Sequence, residues 1–103
     1  MSESKIFEFK NEDAVVSDPA SCSGNACASI SLSATFHPGT LMVKSIKVTN
    51  SSSRLVRFKL VWGGAFNPCN SESTASIQPN QSVELESPNQ YITGYCSCVA
   101  NYQ

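Results

Sequence analysis

The sequence holds only one histidine, His37, and this residue precedes Pro38 at a predicted turn. A general base needs a fixed position and a partner group, and a lone histidine in a surface turn has neither. No G-x-S-x-G nucleophile motif is present, and Gly63-Gly64 lacks the rest of any nucleotide-binding fingerprint. We therefore expect a protein that is not an enzyme and that uses no cofactor.

Charged residues are also scarce, at 15% of the 103 residues against about 25% in a typical globular domain. The formal net charge is −1, so the chain has no general attraction for nucleic acid or anionic membranes. No apolar run approaches the ~20 residues that a membrane-spanning helix needs, and the start, MSESKIFEFK, lacks the pattern of a secretory signal. These absences predict a cytoplasmic protein that binds no nucleic acid and does not insert into a membrane.

Apolar residues are plentiful, and their order is typical of strands. They recur with a period of two, and clusters of Gly, Pro, Asn and Ser interrupt them at turn-like intervals. In ASISLSATF, for example, the apolar residues from Ile30 to Phe36 fall on one face. This pattern predicts an all-β fold, an immunoglobulin-like antiparallel β-sandwich of about seven strands. A single domain would span residues 1–103, with residues 1–16 as a loose N-terminal arm or an edge strand.

One predicted strand, LMVKSIKVT, changes phase in its middle. Leu41 and Val43 are odd-numbered, whereas Ile46 and Val48 are even-numbered. A regular strand cannot bury both sets on one face. A β-bulge or a switch between sheets is therefore predicted near Lys44–Ser45.

The stretch IKVTNSSSRLVRFKL, residues Ile46–Leu60, is predicted to form a hairpin with its loop at Ser51–Ser53. In this register the inward pairs are Val48 with Val56 and Ile46 with Phe58. Such apolar cross-strand pairs are favourable. The hairpin therefore has a sound inner face, and its outer face becomes the main candidate for function.

That outer face gathers positive charge, since Lys47 faces Arg57 and Lys59 lies on the same side. Like charges directly opposite each other repel, and no acidic residue occurs between Asp18 and Glu72 to neutralise them. A docked acidic partner would remove the repulsion. Lys47, Arg57 and Lys59 are therefore candidate partner-binding residues, although a solvated face with splayed side chains explains the same pattern.

The cysteines are odd in number: Cys22, Cys27, Cys69, Cys96 and Cys98. Without a secretory signal, this count predicts free thiols in a reducing compartment, while an oxidising one would allow a short Cys22–Cys27 disulfide. The alternative is a thiolate metal site made of Cys22, Cys27, Cys96 and Cys98. Its spacing differs from the C-x₂-C pairs of zinc modules, and cysteines two apart on a strand are more often small buried hydrophobes. We therefore predict no metal site.

Several short motifs follow one another between Asp18 and Glu86. They are the pair Asp18-Pro19, an apolar strand that ends at Phe36, and the runs IKVTNSSS, VRFKL, FNPCN and SIQPNQSVELES. In order and spacing, these motifs resemble those of the major sperm protein domain family. The most similar stretch begins at Ala34 and ends at Leu60.

The resemblance implies a seven-stranded immunoglobulin-like sandwich in a family whose members are not enzymes. Its nematode sperm members assemble into cytoskeletal filaments, or bind those filaments, and drive crawling motility. It thus implies a small cytoplasmic sperm-type member or filament accessory protein that binds itself, for instance as a homodimer, or binds major sperm protein filaments. The VAMP-associated members bind short acidic peptides through a basic face, where Lys47 and Lys59 occupy matching positions. Acidic-peptide binding is therefore the alternative function.

Overall fold

Two β-sheets make up most of the structure, a computed structural model that describes residues 6–9, 15–16 and 21–103. Sheet A contains β1 (Phe7–Glu8), β3 (Cys22–Ser23), β6 (Val56–Gly64), β7 (Asn67–Ile77) and β9 (Gly94–Tyr102). Sheet B contains β2 (Val15–Val16), β4 (Ile30–Phe36), β5 (Val43–Asn50) and β8 (Ser82–Glu86), and a short 3-10 helix covers Cys27–Ser29.

The strand order is β1-β9-β6-β7 in sheet A, with β3 also beside β9, and β2-β4-β5-β8 in sheet B. Neighbouring strands are antiparallel except for β3 and β9, which are parallel. The predicted all-β architecture is thus confirmed, and two antiparallel sheets are compatible with a β-sandwich.

The two sheets pack together through alternate apolar side chains. The buried set is Val56, Phe58, Leu60 and Trp62 on β6, with Ile46 and Val48 on β5. These residues join side chains of β4 and β9 in one continuous core. The indole Nε1 of Trp62 donates a hydrogen bond to Ser73 Oγ at 2.8 Å, so its burial leaves no unpaired donor. The inward faces that alternation predicts on β5 and β6 are confirmed.

Lys44 is the extra residue of a β-bulge in β5. Ser45 pairs with Thr35 of β4, whereas Val43 pairs with Phe36, so no residue of β4 lies opposite Lys44. Val43 is buried and Lys44 is exposed. The predicted change of phase is therefore confirmed as a bulge. Because the bulge adds one residue to β5, the odd-numbered Val43 is buried together with the even-numbered Ile46 and Val48.

The segment Ile46–Leu60 is not a hairpin, and this prediction is wrong. β5 lies in sheet B between β4 and β8, whereas β6 lies in sheet A between β9 and β7. Residues 51–55 therefore carry the chain from one sheet to the other. Alternation predicts which side chains point inward, but it does not distinguish a neighbouring strand from a strand on the opposite side of the core.

Asn50 ends β5 and holds this crossing in place. Its side chain is fully buried, and its Nδ2 donates hydrogen bonds to the carbonyl oxygens of Arg54 (2.8 Å), Ile77 (3.0 Å) and Gln78 (3.3 Å). Its Oδ1 accepts hydrogen bonds from the backbone N–H of Ser52 at 2.9 Å and from Ser52 Oγ at 2.7 Å. One amide group therefore connects the end of β5, the crossing and the end of β7.

The described part of the predicted N-terminal arm forms two short strands in different sheets. β1 pairs with the start of β9, and β2 pairs with β4. Gly94 is a point of close approach, because a Cβ atom there would collide with the backbone of Phe7. The rest of the arm and the Asp18-Pro19 motif lie outside the described residues.

Replacing Asn50 by Ala should lower the free energy of unfolding by about 2–4 kcal/mol, because buried carbonyl oxygens lose their donor and the crossing loses its tie. Urea denaturation followed by Trp62 fluorescence measures the change. The control is Asn70→Ala, which removes an exposed amide from β7 and should change the free energy by less than about 0.5 kcal/mol. Equally small effects of both substitutions would contradict the role of Asn50.

Candidate functional site

The structure divides the three candidate cations between two surfaces. Lys47 lies on β5 in sheet B, between Ser33 of β4 and Glu84 of β8. Arg57 and Lys59 lie on β6 in sheet A. The outward faces of two packed sheets point away from each other. The predicted face that joins all three cations is therefore not formed, and only Arg57 and Lys59 remain together.

Arg57 and Lys59 lie in the middle of the outward face of sheet A, where residues of β7 and β9 flank each of them. The polar members of this group are Arg57, Lys59, Thr74, Ser76 and Asn101, and we call them the cationic face. They line a concavity of about 770 Å³. Two cations among hydroxyl and amide groups offer hydrogen-bond donors to an anion such as a carboxylate.

The two cations differ in how far they are neutralised. Lys59 Nζ lies 3.9 Å from Glu72 Oε2, and these side chains are 42% and 55% exposed. An exposed pair of this kind contributes little to stability, because water screens it. Among the described residues Arg57 forms no ion pair. The expectation that no carboxylate lies nearby is therefore wrong for Lys59, which has Glu72 on the adjacent strand. It is also wrong for Lys47, which lies opposite Glu84 of β8.

Arg54 is a further cation beside this face, and the sequence pattern did not single it out because it lies in the crossing between the sheets. Its guanidinium carbon lies 4.6 Å from the ring centroid of Tyr102, and its Nη2 donates a hydrogen bond to the carbonyl oxygen of Gln103 at 3.4 Å. Tyr102 and Gln103 both line the concavity. Stacking on the ring therefore holds this guanidinium beside Tyr102 and Gln103, but Arg54 itself does not line the concavity.

Four of the five cysteines form disulfides, so the prediction of free thiols is wrong for these four. Cys22 pairs with Cys27 across a Cα–Cα distance of 5.9 Å, and Cys69 pairs with Cys96 across 6.0 Å. Both distances lie in the usual range for disulfides. The number of cysteines is odd because the fifth, Cys98, forms no disulfide and is buried.

The Cys69–Cys96 bridge passes over the middle strand of sheet A. It joins β7 and β9, which lie on either side of β6. At Gly63 of β6, a Cβ atom would lie 2.5 Å from Cys96 Sγ and 3.5 Å from Cys69 Sγ. Both ladders of β6 also change register close to this point. The bridge therefore needs a glycine at this position.

The alternative thiolate metal site is wrong, because Cys22 and Cys27 are bonded to each other and Cys96 is bonded to Cys69. Sulfur atoms in disulfides are not thiolate ligands. Cys96 is also the unpaired residue where the β6–β9 register shifts, so regular alternation does not align it with Cys98. Within the described residues, no group of three or more His, Cys, Asp or Glu side chains is placed to hold a metal ion.

Cys98 behaves as a small core residue. It is 1% exposed and belongs to the hydrophobic core. Burial raises the pKa of its thiol to about 12, because apolar surroundings disfavour the charged thiolate. At neutral pH the thiol is protonated, so it is neither a nucleophile nor a metal ligand.

Comparisons with protein-family models, curated proteins and solved structures return no match. The resemblance to major sperm protein domains therefore stays a prediction from the sequence motifs. In the described part of the chain, no helix is long and apolar enough to cross a membrane.

Replacing Gly63 by Ala should lower the free energy of unfolding by about 1–3 kcal/mol, because the added methyl group overlaps Cys96 Sγ. In a Cys69→Ala/Cys96→Ala background the sulfur atoms are gone, and the cost of Gly63→Ala should fall to less than half. Urea denaturation of the four proteins completes this double-mutant cycle. Equal costs in both backgrounds would mean that the bridge does not cross at Gly63.

Cys98 should make the protein less stable at alkaline pH. An ordinary thiol has a pKa of 9.0, so between about pH 9 and pH 12 the unfolded chain releases a proton that the folded chain keeps. Unfolding therefore becomes more favourable as the pH rises through this window. Relative to Cys98→Val, the native protein should lose up to about 1.4 kcal/mol per pH unit. Urea denaturation measures this loss, and parallel pH profiles of the two proteins would refute it.

Proposed function

We propose that this protein is a non-enzymatic interaction domain that binds an acidic, extended segment of a partner protein on its cationic face. The observation that carries the proposal is the position of Arg57 and Lys59, two residues apart on the middle strand of sheet A. Side chains two residues apart on a strand are separated by about 7 Å. An extended partner with acidic residues at alternate positions has the same spacing, so two carboxylates can meet two cations in register.

The charge distribution supports this ligand. The guanidinium of Arg57 forms no ion pair among the described residues, and it can bind a carboxylate through two parallel hydrogen bonds. The exposed Lys59–Glu72 contact is weak enough for a ligand carboxylate to replace it. Thr74 and Asn101 add neutral donors on either side.

We infer an immunoglobulin-like topology for the sandwich. In immunoglobulin nomenclature, β4, β5 and β8 correspond to strands A, B and E of one sheet, and β6, β7 and β9 correspond to C, C′ and F of the other. The N-terminal strands β1 and β3 occupy the free side of β9, where strand G usually pairs with F. The crossing from β5 to β6 is then the B-to-C connection between the two sheets.

In place of the cytoplasmic location that the sequence predicts, we propose an oxidising compartment. The Cys22–Cys27 and Cys69–Cys96 disulfides support this proposal, because disulfides persist in oxidising compartments and are rare where glutathione and thioredoxin keep thiols reduced.

Self-association is the second candidate function, and the edge of sheet A favours it. β7 spans Asn67–Ile77 and is the last strand of sheet A among the residues that the structure describes. A long edge strand offers unpaired backbone groups to another chain. Assembly of this kind, or binding to sperm cytoskeletal filaments, is what the major sperm protein resemblance implies. Sedimentation velocity over a range of concentrations, alone and with such filaments, separates this candidate from peptide binding.

Replacing Arg57 by Glu should weaken the binding of a fluorescent peptide of alternating Glu and Ser by at least about tenfold, because a cation in direct contact becomes a like charge. Fluorescence anisotropy with the oxidised protein measures the affinity. Binding should also weaken as salt rises, since exposed charges are screened.

Lys47→Glu provides the matched control, because it makes the same change of charge on the opposite sheet. It should change the affinity by less than about twofold, since its distance from the ligand allows salt to screen the charge. Equal losses for both substitutions would mean that net charge, and not the cationic face, attracts the peptide. Equal binding of a Gln-Ser peptide would also refute the proposal.

A further inference from the structure

The exposed apolar side chains of the structure gather at one end. Leu41, Phe66 and Tyr91 are 56%, 72% and 49% exposed, and they are the large hydrophobic residues with such exposure in the described part of the chain. Each lies in a different connection, from β4 to β5, from β6 to β7 and from β8 to β9. Met42, the neighbour of Leu41 in its connection, borders one cavity with Phe66 and Tyr91, and we call these four residues the apolar loop end.

The three connections meet around a shared cavity. Met42, Phe66 and Tyr91 surround a space of about 280 Å³. Beside it, Thr40 Oγ1 donates a hydrogen bond to the His37 carbonyl oxygen at 2.8 Å and accepts one from the Met42 N–H at 3.0 Å. The cavity itself is lined by apolar and aromatic side chains, whereas His37 and Gln90 border the adjoining hollow.

Hydrogen bonds between the connections hold this surface together before any partner arrives. The N–H of Val43 donates to the Ile92 carbonyl oxygen at 2.7 Å, and the N–H of Thr93 donates to the Gly63 carbonyl oxygen at 3.2 Å. Thr93 Oγ1 accepts a hydrogen bond from the Ala65 N–H at 3.3 Å. Ile92 is fully buried behind them. A preformed surface of this kind loses little conformational entropy when it binds.

The three connections of the apolar loop end contribute no charged side chain of their own, and the carboxylate beside them is Glu8, whose Oε2 accepts a hydrogen bond from Thr93 Oγ1 at 3.2 Å. The three connections, residues 37–42, 65–66 and 87–93, contain no Asp, Glu, Lys or Arg. An acidic partner therefore finds no Lys or Arg in these connections. A partner that removes carbon surface from water fits this chemistry.

The exposed area decides which partner fits. With about 200 Å² for each large side chain, the exposed fractions of Leu41, Phe66 and Tyr91 amount to about 350 Å². A specific protein interface takes about 800 Å² from each partner, so this surface is too small for a stable dimer of two copies. A bilayer has no minimum area of this kind, and its headgroup boundary favours aromatic side chains with a polar tip, such as Tyr91.

We propose that the apolar loop end docks on a lipid bilayer with zwitterionic headgroups by inserting Leu41, Phe66 and Tyr91 at the headgroup boundary. Only side chains enter the bilayer in this contact. It therefore differs from a membrane-spanning segment of ~20 apolar residues, which the sequence argues against. Its strength should be that of a weak, reversible contact.

Co-sedimentation with phosphatidylcholine vesicles tests the proposal on the oxidised full chain. Phe66→Ser should lower the molar partition coefficient by at least about tenfold, because Phe66 contributes the largest exposed area. The control Val61→Ser removes a partly exposed apolar side chain from the outward face of sheet A, and it should leave the partition coefficient unchanged. High salt should not release the native protein, since insertion does not depend on charge.

Phe66→Trp keeps an aromatic side chain and reports insertion directly. Trp62 is buried, so the added indole supplies the signal that changes, with a blue shift on vesicles and quenching by brominated lipid. Absence of vesicle binding by the native protein would overturn the proposal, and so would binding that needs anionic lipid and disappears in salt. A dimer in sedimentation velocity that Phe66→Ser dissociates would overturn it in favour of a second copy of the chain.

Discussion

The buried side-chain amide of Asn50 is the interaction on which the arrangement of the molecule depends. It lies where the chain leaves sheet B for sheet A, and it binds backbone groups of the crossing and of the end of β7. If the chain turned back here, β5 and β6 would be neighbours and Lys47 would lie beside Arg57. Because the chain crosses, the inward sides of β5 and β6 meet in the core and their cations lie on opposite surfaces. The crossing that Asn50 holds thus decides which charges act together.

Whether the sequence predicts a feature of the fold depends on how far apart in the chain the residues that form it lie. The inward faces and the bulge at Lys44 depend on residues close together in the chain, and alternation predicted them correctly. The neighbours of β5 and β6 depend on topology, and a hairpin and a crossing share the same alternation. The disulfide between Cys69 and Cys96 escaped prediction for the same reason, because its partners lie on strands that are two apart in sheet A.

The two candidate surfaces differ in the same respect, since one is predictable from the sequence and the other is not. Arg57 and Lys59 share a face because they are two residues apart on one strand, which a sequence shows directly. Leu41, Phe66 and Tyr91 lie far apart in the sequence, and only the fold brings their connections to one end. No periodicity marks an apolar residue that stays exposed, so the sequence gives no sign of this second surface. The cationic face offers charged contacts and the apolar loop end offers apolar contacts, and the two surfaces share no residue.

The sulfur bridge between Cys69 and Cys96 has a mechanical consequence. In a sheet held by hydrogen bonds alone, tension on an edge strand peels that strand away from its neighbour. Here tension on β7 passes through a covalent link to β9, and β6 is clamped between the two. The bridge crosses at Gly63, near the turn into β7, so a pull that starts at this end of β7 passes only the Gly64–Asn67 pair before it meets a covalent bond. The outermost strand of sheet A therefore yields from its far end, beside Ile77, where only hydrogen bonds and packing hold it.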